Sequence, residues 1–167
     1  MSIKLLVLDV DGTMTDGKIT YTKSGDELKS FCVKDGLAIS SWIKLGGKVA
    51  IITGRESKIV ENRANELGIE FCYQKIKDKA SKVEEILNEL NIGWESVAVI
   101  GDDLNDFSMI KRANISFAPN NASSYIKKCV SKILTSKGGE GAVREMIEYI
   151  LEEEGRVEEL LNLWGVE

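Results

Sequence analysis

With 167 residues and 43% apolar content, the chain has the size of about one domain and can bury a real core. A net charge of -5 and a pI near 5.0, with no basic block to neutralise phosphates, argue against nucleic acid or an acidic membrane surface as the main partner. The absence of histidine excludes Ser-His-Asp and Cys-His catalysis and histidine-ligated zinc, so acid and base work falls to carboxylates, lysine, tyrosine or metal-bound water.

The apolar run Leu5-Leu6-Val7-Leu8 reads as a buried parallel strand, and it ends abruptly in Asp9-Val10-Asp11-Gly12-Thr13. Ligands of open α/β sheets bind beyond such carboxyl ends. One residue apart, Asp9 and Asp11 face one small volume, which is costly unless a cation sits between them or one carboxyl keeps a proton. Magnesium suits such a pair, needing one or two carboxylates plus a phosphate. A calcium loop counted from Asp9 requires glycine and glutamate where Met14 and Thr20 stand, and an ordinary turn with Asp and Gly after a strand would produce this five-residue pattern by chance in roughly one of several hundred chains of this length.

Residues 18–21 and 27–33 read as two short strands around Lys23-Ser24-Gly25-Asp26, a hairpin that is marginal alone. Its Ile19, Tyr21, Leu28 and Phe31 need another surface, in this domain or in a second copy of the chain. Residues 36–45 suit a helix stopped by Gly46-Gly47, with Asp35 as its expected N-cap. The strand 49–52 runs into Thr53-Gly54-Arg55, and the helix 57–67 that follows favours an anion at its start.

The alternation repeats through a strand at 69–73, a helix at 78–90 with Lys79 just inside it, a strand at 96–100, a helix at 103–112 and a strand at 115–118. A helix at 122–128 and a short strand at 131–134 complete a pattern that implies a parallel sheet with helices on both faces. The strand 96–100 ends in a second acidic cluster, Gly101-Asp102-Asp103-Leu104-Asn105-Asp106, of which capping explains one acid. Val143, Met146, Ile147, Ile150 and Leu151 follow helical spacing, and after Gly155 the residues Val157, Leu160, Leu161 and Trp164 form a smaller apolar stripe, for this domain or for a subunit contact. Cys32, Cys72 and Cys129 form no CxxC and cannot all pair, which suits buried thiols in a reducing compartment. No signal peptide and no apolar run of transmembrane length is read, so a cytoplasmic location is expected.

In motif order the chain resembles the haloacid dehalogenase superfamily: Asp9 to Thr13, then Thr53, then Lys79, then Gly101 to Asp106. Thr15-Asp16-Gly17, Phe31 to Gly36, Thr53-Gly54-Arg55 and the segment Gly138 to Glu145 resemble the branch containing 3-deoxy-D-manno-octulosonate 8-phosphate phosphatases, over about residues 3 to 151. The resemblance implies a single capless domain over 1–167: a doubly wound, Rossmann-like α/β core with a hairpin flap at 18–33 and an extra C-terminal helix at 156–167.

It also implies a magnesium-dependent phosphatase for a phosphorylated sugar acid. Asp9 would be the nucleophile, and Asp11 the residue that protonates the leaving oxygen and then activates water, for which it must hold a proton that crowding against Asp9 favours. Asp9, the backbone carbonyl of Asp11, and Asp102 would hold the metal, with Asp103, Asn105 and Asp106 around it. Thr53 and Gly54 would grip the phosphoryl oxygens, and Lys79 would offset their charge. Arg55, Lys34 and Arg144 are candidates for the substrate, a guanidinium being matched to a carboxylate. The resemblance further implies a homotetramer in which one subunit's hairpin closes its neighbour's site.

Three other readings compete with this one. A phospho-accepting receiver needs its aspartate at the third strand, where Gln74-Lys75 stand. A non-catalytic regulator would not need every catalytic position filled. A sialic-acid-type 9-phosphate or another small phosphate ester remains an alternative substrate.

Overall fold

The computed structural model describes residues 2–166, so the expected domain limits at 1 and 167 lie outside the described residues. Six parallel strands form the main sheet in the order β5-β4-β1-β6-β7-β8, with β1 at Leu5–Leu8, β4 at Lys48–Ile52, β5 at Phe71–Tyr73, β6 at Val97–Ile100, β7 at Ile115–Ala118 and β8 at Lys132–Ile133. This is the doubly wound α/β arrangement expected from the alternation. From β1 the chain winds outward through β4 and β5, then returns to the other side of β1 for β6, β7 and β8. That reversal places a crevice at the carboxyl ends of β1, β4 and β6.

Alternation along β1 divides the core. Leu6 and Leu8 face a layer made by α1 (Val33–Lys44), α2 (Lys58–Leu67) and α6 (Ala142–Glu153), in which Ile39, Trp42, Val60, Met146 and Ile147 are buried. Leu5 and Val7 face the opposite layer of α3 (Lys79–Leu90), α4 (Phe107–Ile110) and α5 (Ser124–Lys127), against Val83, Ile86, Met109 and Ile126. Because Asp9 continues the side of Leu5 and Val7, it points to the layer that α3 opens.

Several boundaries differ from the sequence expectation. The hairpin strands are shorter, β2 at Thr20–Tyr21 and β3 at Glu27–Leu28. Val33 opens α1 instead of ending a strand, so Asp35 lies inside the first turn and is not the N-cap; Cys32 holds that position without a side-chain cap bond. The helix expected at 103–112 begins as a 3-10 turn, Leu104–Asp106, because the carboxylate of Asp106 folds back onto the backbone before it. Cys129 is exposed, contrary to the expected buried thiols, whereas Cys32 and Cys72 are half-buried, and none of the three is paired.

The terminal stripe forms α7 (Val157–Leu163). It lies against its own chain, where the Trp164 indole N–H donates to Ser41 Oγ at 2.9 Å. Between α1, α6 and α7 runs a groove of about 470 Å³ lined by Leu37, Ile147, Leu160 and Trp164. No helix among the described residues is long and apolar enough to cross a membrane.

Candidate active site

The register brings three strand ends to one height. Leu8 pairs with Ile51 on one side and with Ile100 on the other, so Asp9, Thr53 and Gly101-Asp102 emerge together. The Asp9 N–H still donates to the Ile100 carbonyl, at 3.2 Å, and that of Thr53 to Tyr73, at 3.0 Å, so both residues are held by the sheet. Asp9 and Thr53 are buried, at 4% and 2% exposure.

Lys79 completes the centre. Asp78 caps α3, which aims the first side chain of the helix at the strand ends, and Nζ of Lys79 donates to Asp9 Oδ1 and to Asp106 Oδ1, both at 2.6 Å. The lysine is completely buried. Burial works against its charge, but Asp9 and Asp106 outweigh it and hold the ammonium above its ordinary range.

Asp106 has both oxygens committed, since Oδ2 accepts from the Asp102 and Asp103 N–H groups at 2.9 and 3.3 Å. It therefore anchors Lys79 and shapes the loop after β6. Asp103 caps the 3-10 turn through the Leu104 N–H and is exposed, its carboxylate spent on backbone. Asn105 lies across from Gly54, with Nδ2 3.9 Å from where a Cβ on that glycine would stand.

Carboxylate oxygens of Asp9, Asp102 and Asp106 lie within 4.8 Å of one another, beside the buried ammonium of Lys79. Burial, then Asp106, push the Asp9 carboxyl well above its usual range; burial, then Asp106 and Asp103, push Asp102 up to about 7. A cluster with this excess of negative charge fits a small hard dication. Asp9 and Asp102 hold the oxygens not spent on anchoring.

Gly12, at φ +93°, makes the approach possible, because a Cβ there would stand 2.0 Å from Asp102 Oδ2. The start of the segment Gly138 to Glu145 packs on this same loop: a Cβ on Gly138 would fall 1.9 Å from the Gly12 carbonyl, and Gly139 N–H donates to the Thr13 carbonyl at 3.1 Å.

The remaining candidates are spread more widely. Asp11 and Arg55 meet at the mouth, Arg55 Nε lying 3.9 Å from Asp11 Oδ2. Lys34 is exposed on the first turn of α1. The Arg144 guanidinium pairs with Glu148 at 2.7 Å beside the groove between α1, α6 and α7, while its backbone N–H donates to Asp35 at 2.9 Å.

Sequence reasoning missed Lys29 and Glu27. Lys29 Nζ donates to Asp11 Oδ1 at 2.5 Å and pairs with Glu27 at 3.1 Å, and Glu27 accepts from Arg55 at 3.2 Å. The hairpin root thus has its surface in the site of its own chain. The signal available was the alternation of Glu27 and Lys29 on one face of a strand, opposite Leu28.

Comparison with known proteins agrees with this geometry. The family model for haloacid dehalogenase-like hydrolases matches residues 71–147. The chain is 42% identical over 157 residues to the 3-deoxy-D-manno-octulosonate 8-phosphate phosphatase KdsC of Yersinia pestis, covering 94% of this chain and 84% of that protein. The chain belongs to the haloacid dehalogenase-like hydrolases. Within these hydrolases it is also 39% identical to the KdsC phosphatase of Escherichia coli, over 95% of this chain and 84% of the other. A solved hydrolase of the same kind, the 3-deoxy-D-manno-octulosonate 8-phosphate phosphatase of Moraxella catarrhalis in complex with magnesium ion, phosphate ion and KDO, superposes with a TM-score of 0.94 at 37% identity, covering 97% of this chain and 93% of that one.

Proposed function

We propose that this hydrolase is a magnesium-dependent phosphatase that cleaves 3-deoxy-D-manno-octulosonate 8-phosphate to KDO and phosphate. The observation that carries the reading is Lys79 locked between Asp9 and Asp106 within an acid cluster at the carboxyl ends of the central strands, in a chain whose relatives at about 40% identity are phosphatases for that substrate.

Magnesium, held by Asp9, the backbone carbonyl of Asp11, and Asp102, would supply charge neutralisation for the phosphoryl group. Asp9 attacks phosphorus, the bond to the sugar oxygen breaks, and Asp11 gives that oxygen its proton. Asp11 then takes a proton from water as the water attacks the aspartyl phosphate, freeing phosphate and restoring Asp9. Lys79 holds the Asp9 carboxylate in line and offsets charge, while Thr53 and the Gly54 N–H grip phosphoryl oxygens. Arg55, which lies beside Asp11, would meet a sugar-acid carboxylate; Lys34, exposed on α1, and Arg144, paired with Glu148, are further candidates for the substrate.

The assembly we propose is a homotetramer in which the outer face of one hairpin covers a neighbour's site. Ile19, Tyr21 and Leu28 are exposed at 36%, 61% and 53%, and an uncovered phosphoryl-transfer site admits bulk water. Sedimentation that finds a fully active monomer overturns this assembly. A cytoplasmic location accords with three unpaired cysteines.

The test is phosphate release from 3-deoxy-D-manno-octulosonate 8-phosphate, sialic-acid-type 9-phosphates and simple sugar phosphates, with magnesium and with chelator. A magnesium-dependent preference for the eight-carbon acid is expected. Preference for a nine-carbon acid would move the substrate, and no release from any ester would overturn the phosphatase reading.

A further inference from the structure

The polarity of the hairpin is reversed. Glu27 and Lys29 share one face and Leu28 takes the other, yet the charged face turns inward: the Lys29 side chain is 1% exposed, whereas Leu28 is 53% exposed. A hairpin that served only to cover apolar surface would bury the leucine and leave the lysine in water. Burying an ammonium is costly unless it is paired. Here burial works against the charge, and the hydrogen bonds to Asp11 and Glu27 outweigh it, holding Lys29 above its ordinary range.

Asp11 stands in the loop after β1, half-buried, and among the described residues its carboxylate accepts one hydrogen bond, from Lys29 at 2.5 Å. Glu27 fixes the other side of the ammonium at 3.1 Å and ties it to Arg55 at 3.2 Å. The direction of the Asp11 carboxylate is thereby set by a segment 18 residues away, through a lysine that is itself held.

The geometry points to Lys29 as a positioning residue for Asp11, with Glu27 as its brace: the hairpin root orients the carboxyl that passes a proton to the leaving oxygen. The inference rests on the phosphatase reading above. In the step concerned, the Asp9–phosphorus bond forms, the phosphorus–oxygen bond to the alcohol breaks, and the Asp11 proton ends on that oxygen. A poor alkoxide leaving group needs the proton; a p-nitrophenolate does not.

The test compares kcat/KM for an alkyl phosphate that the unaltered protein hydrolyses with kcat/KM for p-nitrophenyl phosphate, in Lys29→Met, Lys29→Arg and Glu27→Gln. Lys29→Met is expected to lose roughly tenfold or more on the alkyl ester, part of what general acid catalysis supplies, and much less on the aryl ester. Lys29→Arg should recover part of the loss, and Glu27→Gln should shift the ratio the same way by less. Equal losses on both esters, or no loss, would overturn the positioning role and leave Lys29 as packing. Should Lys29→Met fail to fold, the ratio in Glu27→Gln decides alone. Hydrolysis of neither ester by the unaltered protein would count against the phosphatase reading instead.

Discussion

Nζ of Lys79 stands 2.6 Å from Oδ1 of Asp9, and neither group has appreciable access to water. The contact joins the first residue of α3 to the first residue beyond β1, so a helix start and a strand end share one electrostatic centre. Removing one partner of such a buried pair leaves the other uncompensated, whereas altering an exposed pair such as Lys58 with Glu61 changes little.

Lys79→Met should therefore destabilise the fold by about 3–5 kcal/mol, because Asp9 and Asp106 lose their shared cation in a dry site. Urea denaturation with and without magnesium measures it. A loss below about 1 kcal/mol, the size of a surface pair, would show that the site is wetter than its burial implies.

Asp9→Asn should reduce phosphate release by roughly 10³-fold or more, the scale of removing a nucleophile. The folded protein should melt at the same temperature or higher, since the substitution keeps the volume and removes a charge that burial and Asp106 both disfavour, while Lys79 keeps Asp106 as its counterion. Ordinary turnover in this variant would remove Asp9 from the chemistry.

Asp35 carries a pH dependence of stability. Burial raises its carboxyl from 3.8 to about 6, against the opposing Arg144 backbone bond and the nearby Arg144 and Arg63 charges, and among the described residues its Oδ2 has no hydrogen-bond partner. The folded state thus holds the proton more tightly than the unfolded chain does. Stability from this group is full below 3.8 and is lost as pH rises through about 6, by roughly 3 kcal/mol. Asp35→Asn, which keeps an acceptor for the Arg144 N–H, should flatten the pH 4–6 region and stabilise the protein at pH 8 by about 1–2 kcal/mol. Unchanged melting curves across that range would contradict it.

Magnesium should stabilise as well as activate. At a hundredfold excess over its Kd a site-bound ion adds about 2.7 kcal/mol, read as a rise in melting temperature that chelator reverses. Asp102→Asn should lose most of that rise, and Asp103→Asn, whose carboxylate only caps a turn, should keep it. The reverse ranking would place the ion elsewhere.

Strand ends and helix faces were legible because their periodicity is local. The run Leu5 to Leu8 reads as a buried strand from its apolar continuity, and the acids Asp9 and Asp102 stand out at strand ends, whereas Thr53 and Lys79, the latter among Lys75, Lys77 and Lys82, are singled out only by the motif order of the family the chain resembles. Asp35 was misread as a cap because α1 begins three residues earlier than its apolar spacing suggests, which turns the carboxylate toward the start of α6. Arg144 was legible as part of a glycine-rich segment, but that its guanidinium turns to Glu148 depends on how α6 sits against α1.

By itself, then, the sequence determined the parallel α/β architecture and the two acidic clusters at strand ends, since both follow from short-range alternation and from the cost of placing unpaired acids at a strand end. Only the tertiary structure decided which groups pair. Alternation puts Glu27 and Lys29 on one face of a strand but cannot say whether that face turns to water. The answer came from the hairpin folding back over the loop after β1, where the carboxylate of Asp11 offers a buried ammonium the partner it requires.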